Sequence, residues 1–83
     1  MLNENSVTYI AGRALQVELV NIRQDITELT QRRIRVQTYS PSTPTTIFDR
    51  RLARLQEQLD RITTDPAFIA ISAHDAEVAA NRE

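Results

Sequence analysis

The chain has 83 residues, which is room for one domain at most, and a domain of that size buries only about 60 to 65% of the surface its unfolded chain exposes. It has no cysteine, which excludes a disulfide framework and a thiolate metal site. Its formal net charge of −1 excludes an overall electrostatic pull toward nucleic acid or anionic lipid. One glycine and three prolines supply little turn material, and the Ala, Leu, Ile, Gln, Arg and Glu that dominate the rest favour helix. The expected class is all-α, with oligomerisation as the source of the buried area that a small chain lacks.

The start, Met-Leu-Asn-Glu-Asn-Ser, is polar, without a basic cluster or a following apolar run, so no cleavable signal peptide is expected. No run of about 18 apolar residues occurs, so no membrane span is expected. The location is not indicated by any motif; on these two absences a place inside a cell or within an assembled particle is the expectation.

A first helix is predicted over about 3–37. Asn3 is a good N-cap, and Leu2 and Val7 stand where a hydrophobic staple would put them. Leu15, Leu19, Ile22, Ile26, Leu29 and Val36 recur with alternating spacings of four and three, interrupted at Arg33. That is a heptad seam, which a helix cannot bury alone. Val7, Ile10, Ala11, Ala14 and Val17 form a second stripe beside it, so the first half of this helix has two neighbours to satisfy. Gly12 interrupts that half at a cost of about 1 kcal/mol relative to alanine. A close helix crossing there would account for it.

Residues 38–46 contain Pro41 and Pro44 and read as the turn, with Thr43 as cap and Pro44 as first residue of the next helix. That second helix, about 44–63, carries Phe48, Leu52, Leu55, Leu59 and Ile62, again at heptad spacing. Folded back antiparallel, it sets Phe48 near Val36 and Ile62 near Ile22. Glu28 with Arg32 and Glu57 with Arg61 fall at i,i+4, each pair worth a few tenths of a kcal/mol, roughly, on an outer face. Asp65 and Pro66 then cap and open a third helix, about 66–81. Its small stripe of Ile69, Ala73, Ala76 and Ala80, widened at its start by Phe68 and Ile71, is expected to lie against Gly12 and Ala14. Fraying after His74 is the alternative. The whole is thus an antiparallel helical hairpin, coiled-coil-like, with a short third C-terminal helix, in a single domain over residues 1–83.

No catalytic motif is present: there is no glycine-rich phosphate loop, nucleophile elbow or zinc-protease pattern. His74 with Asp75 and Glu77 supplies only part of a metal site. Asp60 and Asp65 read better as a solvated face and a cap than as a catalytic pair. No enzyme activity, cofactor or metal is expected.

The distinctive constellation is charge. All ten basic residues are arginine. Arg32, Arg33 and Arg35 end the first helix, and Arg50, Arg51 and Arg54 begin the second, with Tyr39 and several hydroxyls between. Hairpin closure gathers them at one tip, suited to phosphate or carboxylate groups and hence to nucleic acid or an acidic protein surface. The competing reading is a helix C-terminus complemented by positive charge and a solvated face. Asp60, Asp65, Asp75, Glu77, Glu83 and Glu4 fall toward the other end, which invites head-to-tail stacking.

The helix, turn, helix plan, with Pro41-Ser42-Thr43-Pro44 in its turn, resembles type-three secretion needle subunits over those four residues. The stretch Phe48–Leu55 and the alanine-rich end depart from that family's carboxyl half, and no family is assigned. The sequence favours a structural or assembly protein, a homo-oligomer or a small subunit of a virion or secretion-type particle. Val7, Ile10, Val17, Val20 and Phe68 are its candidate interface residues, unless the third helix covers them. The alternative is a binding module that works through the arginine tip, including as an inhibitor.

Overall fold

The computed structural model describes residues 2–82. They form three α-helices and no strand, 83% helical in all: α1 (Val7–Tyr39), α2 (Thr46–Thr64) and α3 (Pro66–Ala80). The protein is all-α. No helix is long and apolar enough to cross a membrane among the described residues.

Capping sets where α1 begins. Ser6, in extended geometry, is its N-cap, and the Ser6 hydroxyl accepts from Tyr9 N at 3.1 Å. Asn3, the cap expected from the sequence, instead closes a turn just upstream, accepting Asn5 N on its side chain and Ser6 N on its carbonyl. Serine and asparagine cap about equally well, so the turn at Asn3 decides between them. Val7 is 83% exposed and pins nothing as a staple.

At the other end Ser40 N donates to Val36 O, and Thr43 reaches back to Ser40 through both its amide and its hydroxyl. This compact turn absorbs Pro41 and Pro44. The N-cap of α2 is consequently Thr45, not Thr43. The corner between α2 and α3 is Asp65 alone: its amide donates to Ile62 O while its carboxylate accepts from Ala67 N at 2.9 Å, with Pro66 in the first helical turn.

Helix α1 packs against both α2 and α3, and α2 touches α3 more lightly. Arg33 meets Asp49, Leu29 and Leu55 line one cleft, and Ile22 and Ile62 line another. Among the described residues the buried apolar side chains are Leu19, Leu29, Ile62 and Ile71. The rest of both seams, including Leu15, Ile22, Ile26, Phe48, Leu52, Leu55 and Leu59, is half-buried. The molecule measures 54 × 27 × 16 Å, with a radius of gyration of 17.5 Å against about 12 Å for a globular chain of this length. A body of that shape has no room for a thick core.

Helix α3 meets Gly12 as the sequence suggests, but with a different face. Ile71 is fully buried there, with Ala67, Phe68, Ala70, His74 and Asp75 half-buried around it, while Ile69, Ala73, Ala76 and Ala80 are exposed. The face turned inward carries Phe68 as well as Ile71 and two alanines, which removes more apolar area than one isoleucine with three alanines would, and the Asp75 side chain described below fixes the same orientation. The crossing is close. A Cβ added to Gly12 would stand 2.7 Å from both Ala67 O and Ile71 Cβ. Ala14, expected beside Gly12 in this contact, is exposed.

Candidate assembly and binding surfaces

Three features of the surface carry chemistry: the arginine tip, a polar clasp between α1 and α3, and an uncovered apolar stripe on α1.

The tip is less uniformly basic than its sequence. Arg33, which stands in the α1 seam, donates from Nε to Asp49 Oδ1 at 2.9 Å, and Asp49 also accepts from the Thr45 hydroxyl at 3.1 Å. This arginine therefore ties α1 to the start of α2. Arg32, Arg35, Arg50, Arg51 and Arg54 are exposed and form no ion pair among the described residues. Arg32, Arg51 and Arg54 line an open cleft of about 330 Å³ over Leu29 and Leu55, but Asp25 and Glu28 line it too. Tyr39 is 84% exposed. The i,i+4 pairs expected at Glu28–Arg32 and Glu57–Arg61 do not close to ion-pair distance.

The clasp joins positions 62 residues apart in sequence. Arg13 Nη1 donates to Asp75 Oδ2 at 2.8 Å and to Gln16 Oε1 at 2.8 Å, and Gln16 Nε2 donates to the same Asp75 oxygen at 2.9 Å. The Arg13 guanidinium also lies 4.9 Å from the centre of the Tyr9 ring and donates to its hydroxyl at 3.1 Å. Tyr9 in turn meets the His74 ring edge-on at 5.8 Å. His74 Nδ1 is buried without a hydrogen-bond partner among the described residues. The residues 9, 13 and 16 share one face of α1 because three and four positions separate neighbours on a helix. In sequence Asp75 reads as part of an acidic end or, with His74 and Glu77, as part of a metal site, and Tyr9, Arg13 and Gln16 carry no signal of their own. Spacing on α1 alone could have grouped the three, but their partner on α3 could not be read.

The hydrogen bond from Arg13, and then that from Gln16, hold the Asp75 carboxyl below its ordinary value of 3.8, while the same carboxylate raises Arg13. A carboxyl with a depressed value in the fold stabilises above its unfolded value and loses that contribution as pH falls through the folded value. The docking of α3 should therefore hold at neutral pH and loosen below about pH 4. Amide hydrogen exchange in α3, followed from pH 7 down to pH 2.5, should accelerate beyond its intrinsic pH dependence, and Asp75→Asn should remove that acceleration. An α3 that exchanges identically in both proteins across this range would deny the clasp any share in holding it.

The other titratable pairs do not combine. The Asp60 carboxylate accepts from Gln56 and the Asp65 carboxylate serves as the α3 cap. Among the described residues no three His, Cys, Asp or Glu side chains gather where they could hold a metal ion.

The stripe lies on α1. Val7, Ile10, Val17 and Val20 are 54 to 83% exposed, and Ala14 between them is exposed as well. Helix α3 does not cover them. Phe68, grouped with them from the sequence, is half-buried beside Ile71. Comparison of the chain with protein-family models, with curated proteins and with solved structures gave no match.

Proposed function

We propose that this protein is a non-enzymatic assembly element: a helical hairpin with a short third helix that self-associates, or serves as a small subunit of a larger particle such as a virion or a secretion apparatus. The observation that carries this reading is the α1 stripe. Four large apolar side chains, each more than half exposed, share one helix of a chain with only four buried apolar side chains among its described residues. Contiguous apolar surface of that kind marks sites where another macromolecule sits. The heptad spacing of apolar residues in the sequences of α1 and α2 supports it, since heptad faces associate readily with one another.

Light scattering at increasing protein concentration, in low and high salt, tests this. The expected result is a mass above that of one chain that survives high salt, because apolar burial is not screened, and a shift to monomer on Val17→Glu with helicity unchanged. A monomer throughout would refute self-association.

The second reading, a binding module whose tip engages nucleic acid or an acidic protein, is favoured by the five exposed, unpaired arginines. Its affinity should fall steeply with salt, and Arg50→Ala, Arg51→Ala and Arg54→Ala together should abolish it while the fold persists.

A further inference from the structure

We propose that the arginine tip is a site for single-stranded nucleic acid, gripped at its phosphates by arginine and stacked at a base on Tyr39. This rests on the second reading above and names its ligand. The first support is the distribution of charge. Residues 31–54 hold six arginines and a single carboxylate, Asp49, which Arg33 and Thr45 already engage. The rest of the chain holds four arginines and ten carboxylates. A chain of net charge −1 thus has one strongly basic end, and such a field draws a polyanion to the tip and away from the remainder of the molecule.

The second support is geometry. Arg32, Arg35 and Tyr39 follow one another at spacings of three and four and so share a face of α1; Ile47, Arg51 and Arg54 do the same on α2. The ion pair of Arg33 with Asp49 sets the two helices side by side at this level, and Arg32, Arg51 and Arg54 line one open cleft. The two rows therefore open on the same side. Arg50 and Arg54 stand at i,i+4, where like charges destabilise a helix, and neither joins an ion pair among the described residues. A bound row of phosphates would relieve that repulsion, since guanidinium groups match phosphate oxygens in both charge and geometry.

The third support is the pair of apolar side chains that stand at the tip end of these rows. Tyr39 is 84% and Ile47 72% exposed. An aromatic ring beside a basic surface is what an unpaired base stacks on. A duplex keeps its base faces within its own stack, and a chain of carboxylates has no flat group to offer the ring. The site is short: Arg32 to Tyr39 spans about 10 Å at 1.5 Å per residue. Asp25 and Glu28, farther from the tip in the same cleft, bound it on the inner side.

Fluorescence anisotropy of the full chain with three labelled probes tests this: an oligothymidylate of about 12 nucleotides, within the site sizes of single-strand binders, a DNA duplex of the same length and a polyglutamate of the same length. The oligothymidylate should bind about tenfold more tightly than either other probe, and Tyr39→Ala should lower its affinity about tenfold while Tyr39→Phe leaves it unchanged, because the ring and not the hydroxyl stacks. Log affinity against log salt should fall with a slope of about −3, the value for about four phosphates of a single strand. Arg51→Ala combined with Arg54→Ala should weaken every probe, whereas Arg23→Ala, exposed but remote from the tip, should weaken none, with circular dichroism confirming that each variant keeps its helicity. A duplex bound as tightly as the single strand, or a Tyr39→Ala protein that binds the strand as the parent does, would overturn the single-strand assignment and leave the binding-module reading standing. Tighter binding of polyglutamate would also overturn it and direct that reading to an acidic protein. No binding of any probe at low salt would end both.

Discussion

Replacing Ile71 by alanine is expected to destabilise the fold by about 2–5 kcal/mol, the range for emptying a filled apolar site. In many proteins that loss is tolerable; here it approaches the whole, since a chain of this length sits near the low end of about 5–15 kcal/mol. Ile71 is the one large side chain fully buried among the described residues, and it holds α3 against Gly12. The loss should be seen first in α3. Chemical denaturation followed by circular dichroism gives the magnitude, and hydrogen exchange should show α3 amides unprotected while the middle of α2 stays slow. A variant with wild-type stability would mean that α3 is held by the polar clasp alone.

The second large effect is expected at Gly12. In an exposed helix Gly12→Ala would stabilise by about 1 kcal/mol. Here the added methyl meets a backbone oxygen, Ala67 O, and the Cβ of Ile71, both at 2.7 Å. Neither atom is the end of a flexible chain, so α3 must shift as a body. Overpacking of this kind costs about 1–3 kcal/mol, which exceeds the propensity gain or at best cancels it, and Gly12→Val, bulkier and β-branched, should detach α3 altogether. Thermal melts of the two variants should rank glycine above alanine above valine. An alanine variant more stable than the parent would show that the crossing has slack the structure does not suggest.

Much of the architecture was legible because it is written in local chemistry. The helical class, the Asp65–Pro66 start of α3 and the close crossing at Gly12 follow from composition, from a cap with an adjacent proline, and from the oddity of glycine in a helix. What was not legible depended on competition between near-equals. Asn3, Ser6, Thr43 and Thr45 are all fair caps, and the tight turns around Asn3 and Ser40 choose among them. The face of α3 is rotated from the expected one because small residues at helical spacing suggest a packing stripe, whereas Phe68 and Ile71 at the edge of that stripe and Asp75 off it supply the apolar area and the ion pair that orient the helix. Arg33 is an interruption of apolar spacing in sequence, and its partner Asp49 is defined only by the packing of α2 on α1. At the tip, proximity in sequence groups six arginines, and α1 itself brings Asp25 and Glu28, within two turns of Arg32, to the same cleft.

The smallest dimension of the molecule, 16 Å, has a consequence of its own. An α-helix with its side chains is about 10–12 Å across, so the protein is scarcely more than a single layer of rods, with two outer faces and almost nothing between them. Such a raft has no inner and outer shell, and every side chain is within one neighbour of water. A second raft laid on it would add to the thin interior that Leu19, Leu29, Ile62 and Ile71 make. Under the proposed self-association, persistence of the native state would depend on how crowded the solution is with copies, because each association event would remove folded monomer from the unfolding equilibrium, and the chain's durability would become a property of the population rather than of the individual molecule.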